Sequence, residues 1–301
     1  MSMERVQKAQ KVHHFPQTVI TLLRFHRLWP QNYEYVTVSE ILKTWLLYYP
    51  TIWLAFGTEA HVLVQYLNNA NVNFTDSIVV FFLEMFLWYT FTLYSMKVND
   101  VVEFTRDLEN FRQFGEPQNL EEFKEQHNKR VKLLYGYCVV GVIVFSTVSY
   151  LEEPYCKRKY DEQNAMDLCG FLIPVWVPFD LSDPIVKHVV FSFQALSMLL
   201  VLLPAILGTY FAVSCVDLIT IRIEHLQNVL ENIEVLPRGL QKNQLKWCVK
   251  YHVRILSLTE KFNVCFGSLN AVHYVLSSII LGILNHQILQ VNRVERVSTV
   301  F

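Results

Sequence analysis

The sequence contains no pattern that is typical of a catalytic or metal centre. It has no H-E-x-x-H motif, no C-x-x-C pair and no glycine-rich loop that could cradle phosphate groups. Its formal net charge of −1 gives no electrostatic reason to expect a nucleic-acid partner. These absences argue against an enzyme, and they predict neither a cofactor nor a metal.

Charged residues are also scarce. They make up 18% of the 301 residues, against 52% hydrophobic residues, whereas soluble proteins contain about 25% charged residues. Five segments are long and apolar enough to span a hydrocarbon core of ~30 Å. These predicted spans are 41–67, 77–96, 133–151, 185–216 and 265–284. Such long uncharged runs are rare in soluble cores, so we predict an all-α integral membrane protein, a multi-pass helical bundle.

The distribution of Lys and Arg predicts the orientation of this bundle. With the N-terminus inside, 20 Lys and Arg residues fall on the cytoplasmic side and 6 on the outer side, as the positive-inside rule requires. The predicted organisation is then a cytoplasmic N-terminal segment (1–40), spans one to four (41–216) with outer loops at 68–76 and 152–184, a cytoplasmic helical hairpin (217–264), span five (265–284) and a tail (285–301).

One sequence signal agrees with this orientation independently of charge. The only N-x-[ST] sequon in the chain begins at Asn73, in the first predicted outer loop. Asn73 is therefore a candidate glycosylation site, although such a short motif also arises by chance.

An unusual segment precedes the fourth span. Residues 168–184, "LCGFLIPVWVPFDLSDP", are apolar, yet Pro174, Pro178 and Pro184 exclude a regular helix because each lacks an N–H and restricts its predecessor. We call this segment the flap. A segment so apolar is expected to cover something rather than to lie bare in water.

Two polar features are candidates for a structural or functional role, one in the second outer loop and one in span two. Cys156 and Cys169 share the second outer loop, where a disulfide is chemically permitted and would fix the flap. Glu84 lies near the middle of span two, where an ionisable group is costly and should face protein or water. It is either a functional group or a structural hydrogen-bond partner.

Four stretches, in order, resemble elements of one family, the insect odorant receptors. They are "LLRFHRLWP" (22–30), "IPVWVPFD" (173–180), "YFAVSCVDLITIRIEHL" (210–226) and "CVKYHVRILSLTEKFN" (248–263). The resemblance implies an odorant-gated cation channel subunit with an intracellular N-terminus and seven spans. Five of these seven spans are predicted in this sequence. The chain is thus expected to be C-terminally incomplete, its last residues (285–301) being a truncated tail.

The resemblance also implies a ligand site and partners. Members bind small volatile odorants in a pocket between spans two, three and four, and they assemble with a shared co-receptor in the cell membrane of sensory neurons, in contact with membrane lipid. The expected outer-loop flap residues are Pro174, Trp176, Pro178, Phe179 and Asp180. The expected ligand-binding residues are Phe81, Phe82, Met85, Ile143, Ser146, Thr147, Tyr150, Phe191, Gln194 and Met198. For each of these residues, the alternative is contact with lipid or with a neighbouring helix.

Two other classes of protein stay open at this point. A gustatory receptor of the same superfamily shares the topology, and its strongest signatures lie beyond the spans predicted here. A G-protein-coupled receptor requires an extracellular N-terminus and an acidic-Arg-Tyr ending to span three, whereas span three runs into "YLEEPYCK" (150–157).

Overall fold

The structure is a computed structural model. It describes residues 15–30, 36–67, 74–163, 169–173, 175–177 and 183–298. This part of the chain is helical and contains no β-strand. Its helices are α1 (Gln17–Phe25), α2 (Val38–Tyr48), α3 (Ile52–Leu67), α4 (Phe74–Met96), α5 (Val98–Leu108), α6 (Leu120–Leu151), α7 (Glu153–Gln163), α8 (Pro184–Glu231) and α9 (Arg238–Ser298).

Three of these helices are long and apolar enough to cross a membrane, among the residues that the structure describes. They are α6, α8 and the part of α9 that ends at Ile283, and they contain the third, fourth and fifth predicted spans. The second predicted span lies in α4, within which Val80–Met96 is a shorter apolar helix. The prediction of an all-α membrane protein is confirmed.

The first predicted span is not one continuous α-helix. Residues 41–67 are divided between α2 and α3, with a 3₁₀ turn (Tyr49–Thr51) between the two. Pro50 lies at the start of this turn, and a proline cannot donate the backbone hydrogen bond that a continuing α-helix needs. The apolar run is as long as predicted, but the proline divides it.

The second predicted loop contains more helix than the sequence pattern indicated. Its polar beginning, 153–163, forms α7. The described flap residues 169–173 and 175–177 adopt no regular structure, as the prolines beside them in the sequence predict. Within the segment predicted as a helical hairpin (217–264), α8 ends at Glu231 and α9 begins at Arg238, with a turn between them. Gln241 Nε2 donates to the Leu236 carbonyl at 2.8 Å within its turn.

The chain divides into two compact units, and the first consists of residues 1–44, 91–136 and 204–268. Phe211 is fully buried in it, and its ring lies 4.7 Å from Phe15, 5.3 Å from Trp29 and 6.2 Å from Phe266. Aromatic side chains bury large apolar areas, so this cluster is a main source of packing energy in the first unit.

The second unit consists of residues 45–90, 137–203 and 269–301. It contains α3, α7, the flap and the first half of α8. Its core cluster joins Leu54 of α3 to three flap residues, Leu172, Ile173 and Val175. These three flap residues therefore belong to the core of this unit, which makes the second unit the place to look for the predicted ligand site.

Candidate functional site

Three apolar side chains of the described flap residues are buried. Leu172 is 7%, Ile173 5% and Val175 2% exposed. Four partly buried side chains of α3, α4 and α8 pack against this cluster: Trp53, Val80, Phe191 and Ala195. Removing this apolar surface from water or headgroups is what holds an irregular segment in place.

A glycine on α3 allows the flap backbone to come close. A Cβ atom at Gly57 would lie 2.2 Å from Val175 Cγ1, far inside van der Waals contact. At this point the Trp176 N–H donates to the Gly57 carbonyl at 2.9 Å. The backbone carbonyl and the absence of a side chain at Gly57 together make a docking point on α3 for the flap.

A glutamine on α8 holds the flap from another side. Gln194 is 1% exposed. Its Oε1 accepts a hydrogen bond from the Leu172 N–H at 3.1 Å, and its Nε2 donates to the Ile173 carbonyl at 2.8 Å. A buried irregular backbone must satisfy its polar groups, and the Gln194 amide satisfies two of them at once.

The beginning of the flap is attached covalently. A disulfide joins Cys156 of α7 to Cys169, with the two Cα atoms 5.6 Å apart. Gly170 follows with a φ of 81°, a left-handed backbone conformation that glycine adopts without strain. A Cβ atom there would also lie 2.6 Å from Glu153 Oε2. Both features keep the flap close to the start of α7.

An ion pair lies beside this attachment. Glu153 of α7 pairs with Lys187 of α8 and, at 2.8 Å, with Lys157. Partial burial by itself raises the pKa of Glu153, but the hydrogen bonds and charges of Lys187 and Lys157 outweigh it and hold the pKa below its ordinary value. Lys187 Nζ also lies 5.6 Å from the centroid of the Phe171 ring. The two lysines therefore favour the carboxylate form of Glu153.

The structure brings together two of the predicted ligand-binding aromatics from different helices. The rings of Tyr150 on α6 and Phe191 on α8 are 6.1 Å apart in an edge-to-face arrangement. Tyr150 also lies 6.1 Å from His188. Since Phe191 packs against the flap cluster as well, these rings continue the apolar surface from the flap to α6.

The other predicted ligand-binding residues have different surroundings from Tyr150 and Phe191. Phe81 and Phe82 contact each other on α4 at 5.8 Å, Met198 is partly buried, and Met85 and Ile143 are exposed. The hydroxyls of Ser146 and Thr147 donate to carbonyls of α6 itself, at 2.7 and 2.8 Å. The side-chain amide of Gln194 bonds to the flap backbone, and its contact with a ligand stays a prediction.

Several predicted residues lie outside the described part of the chain. They are the flap residues Pro174, Pro178, Phe179 and Asp180 and the sequon residue Asn73. Trp176 is described, and its side chain is 42% exposed although its backbone N–H is bonded.

Two clefts of the described structure lie away from the predicted ligand-binding residues. One, of about 510 Å³, is an open groove in the second unit along the beginning of α8, lined by Pro184, Ile185, His188, Val189 and Ser192. The other, of about 440 Å³, lies in the first unit between the 116–119 segment and the end of α8. Neither is lined by any of the ten residues that the sequence suggested for ligand binding.

Glu84 is buried on α4, on the same face as Leu87 and Trp88. Its Oε2 has no hydrogen-bond partner among the residues that the structure describes. The prediction that this carboxyl group avoids the lipid is consistent with its burial, because lipid cannot solvate it.

Comparison with known families decides the class of protein. The family model described as 7tm Odorant receptor matches residues 71–301, well over half of the chain. The chain belongs to the 7tm odorant receptor family. The family match favours the odorant receptor over the gustatory and G-protein-coupled alternatives, and it places the protein in a class of membrane receptors rather than enzymes.

Solved structures agree on the fold of this odorant receptor. It is similar to the insect olfactory receptor OR5 from Machilis hrabei in complex with eugenol, with a TM-score of 0.57 and 14% identity over 89% of this chain and 69% of that chain. A second structure of OR5 from Machilis hrabei gives a TM-score of 0.55 and 15% identity. That match covers 90% of this chain and 70% of the OR5 chain. No curated protein matches the receptor sequence.

Sequence reasoning missed the α3 side of the site. Gly57, Trp53 and Leu54 contact the flap cluster or its backbone, but none was predicted to do so. The available signal was a glycine inside an apolar helix, which often marks a close approach of another backbone.

Proposed function

We propose that this odorant receptor binds volatile apolar ligands beneath the flap, against α4, α6 and α8 of the second unit. The observation that carries the proposal is the burial of the flap residues Leu172, Ile173 and Val175 against α3 and α8, continued by the Tyr150–Phe191 ring contact. Apolar and aromatic walls suit volatile ligands, whose binding energy comes mainly from buried area. OR5 of Machilis hrabei, which shares the fold, is described in complex with eugenol.

Ligand binding would act on a cation channel that this receptor forms together with a shared co-receptor, in the membrane of sensory neurons. The family resemblance supports this assembly. A ligand can bias the gate only by its differential affinity for the open and closed states. Wall residues whose packing changes on opening are therefore expected to alter both the sensitivity and the size of the response.

Tyr150→Ala tests the proposed wall. The receptor and the co-receptor are expressed together in cells, and currents are recorded with a panel of volatiles that begins with eugenol. Loss of a contacting aromatic ring removes a large apolar area, so we expect the half-maximal concentration of an active odorant to rise on the order of tenfold.

Tyr137→Ala is the matched control, because Tyr137 lies on the same helix and is 77% exposed, against 50% for Tyr150 with its ring contacts to Phe191 and His188. It should leave the half-maximal concentration unchanged at equal surface abundance. An equal shift in both variants, or no shift in Tyr150→Ala for any active odorant, contradicts the proposed site.

The proposed topology has the N-terminus and the 217–264 hairpin inside and the loops 68–76 and 152–184 outside. We expect a glycan on Asn73 that is lost in Asn73→Gln, seen as a mass shift sensitive to endoglycosidase. Glu234→Thr creates a sequon at Asn232, in the turn of the hairpin, and should add no glycan. Glycosylation at Asn232 would overturn the orientation.

A further inference from the structure

We propose that Gln194 is a positioning residue, a latch that keeps the flap closed, and that it acts through the flap backbone rather than by touching the odorant. This inference rests on the proposed function only for its consequence on ligand access. The term latch refers here to the Gln194 amide and its two bonds to the backbone of Leu172 and Ile173.

The first step of the argument is the hydrogen-bonding capacity of the amide. Oε1 accepts from the Leu172 N–H and Nε2 donates to the Ile173 carbonyl. The two flap groups are an adjacent N–H and C=O, so one planar amide meets a matching donor and acceptor. With both ends engaged and the side chain 1% exposed, Gln194 has little left to offer a ligand in the closed flap.

The second step is the nature of the other attachments. In the proposed topology the Cys156–Cys169 disulfide faces the outside, where disulfides persist, and it fixes only the beginning of the flap. At the other end of the described flap, the Trp176 N–H bonds to α3. Between them, the two Gln194 bonds are reversible and lie in the middle of the buried segment, where breaking them lets Leu172 and Ile173 leave the core.

The third step is that the latch is uncharged. Leaving a buried N–H and C=O unpaired is costly, so the flap should open rarely, yet no ion pair has to be separated there. The Glu153–Lys187 pair is attached to α7 and α8 rather than to the flap backbone. Opening at the latch should therefore respond to loss of the amide far more than to salt.

Gln194→Met tests the latch, because methionine has a similar length and apolar packing but cannot make either bond. The full chain is placed in membrane vesicles and treated with a membrane-impermeant phosphine reductant and maleimide. Labelling of Cys169 is then followed by peptide mass spectrometry. Cys169 is buried in the closed flap, so we expect Gln194→Met to be labelled on the order of tenfold faster than the parent.

Gln227→Met is the matched control, since Gln227 lies exposed on the same helix, and it should label at the parent rate. Gln194→Glu gives a second readout, independent of folding yield. Its carboxylate can accept from Leu172 but repels the Ile173 carbonyl, whereas the protonated form can donate again. The ratio of the Gln194→Glu labelling rate to the parent rate should therefore fall toward one as the pH is lowered. The same ratio for Gln194→Met should not fall.

Equal labelling of Gln194→Met and the parent overturns the latch, as does equally fast labelling of Gln227→Met. The assay contains no odorant, so its outcome is separate from that of the proposed function. Fast labelling of Gln194→Met together with normal odorant responses of Tyr150→Ala supports the latch and contradicts the proposed binding wall. Slow labelling together with a shifted Tyr150→Ala response does the reverse.

Discussion

Gly57→Ala is expected to release the flap from α3 and to destabilise the second unit, although alanine normally stabilises a helix relative to glycine by up to ~1 kcal/mol. The new methyl group would lie 2.2 Å from Val175 Cγ1. Val175 is itself confined, because it is 2% exposed within the flap cluster. Relief of the clash requires the flap to move, which also breaks the Trp176–Gly57 backbone hydrogen bond.

The expected loss combines overpacking, which costs about 1–3 kcal/mol, with one broken backbone hydrogen bond, worth about 1 kcal/mol. The measurements are the apparent melting temperature of the purified receptor and its abundance at the cell surface. Both should fall. Gly141→Ala is the control, since a Cβ atom at this helical glycine meets nothing within 4 Å, and it should leave both measurements unchanged or slightly raised.

A double variant identifies the clash as the cause. Val175→Ala removes Cγ1 and leaves space for the methyl group of Gly57→Ala. The two changes should therefore be non-additive, with Gly57→Ala costing clearly less in the Val175→Ala background than in the parent. Strictly additive effects would show that Gly57 matters for a reason other than its contact with Val175.

Arg222→Met is the second substitution with a large expected effect, and it acts in the first unit. Arg222 is completely buried on α8. Its Nη2 donates to the Leu108 carbonyl and, at 3.2 Å, to the Asn110 carbonyl. Its guanidinium lies 4.1 Å from the centroid of the Phe111 ring. Leu108 is the last residue of α5.

The position explains why a buried cation is tolerated. The last carbonyls of a helix have no partner within the helix, and the end carries a partial negative charge. Arg222 donates a hydrogen bond to one of these carbonyls, that of Leu108, and another to the Asn110 carbonyl in the turn that follows α5. Methionine would fill much of the space but would leave both carbonyls unpaired, so we expect a loss of roughly 2–4 kcal/mol.

The apparent melting temperature of purified receptor checks this expectation. Arg222→Lys should be intermediate, because lysine keeps the charge without the planar fork of donors. Arg238→Met is the control at an exposed arginine at the beginning of α9, and it should be neutral. A melting temperature for Arg222→Met equal to that of the parent would mean that the guanidinium does not hold the end of α5.

The membrane helices were the most predictable part of this receptor. Spans three, four and five fall within α6, α8 and α9 because a lipid environment acts on each apolar run separately, and an apolar run of about 20 residues satisfies its backbone only as a helix. The irregular flap was predictable for a similarly local reason, the spacing of its prolines. Even Pro50 carried a local signal for the break between α2 and α3.

The site was less predictable, because it depends on contacts between residues distant in the sequence. The sequence determined that Gln194 lies in an apolar helix and that Gly57 interrupts another, and it restricted the flap to non-helical backbone. Only the tertiary structure decided that the Gln194 amide meets the backbone of Leu172 and Ile173 and that Val175 fills the space above Gly57. The reason is physical: helix formation in lipid is a property of one segment, whereas pairing a buried N–H or filling a van der Waals gap needs a partner whose position is fixed only when the segments pack.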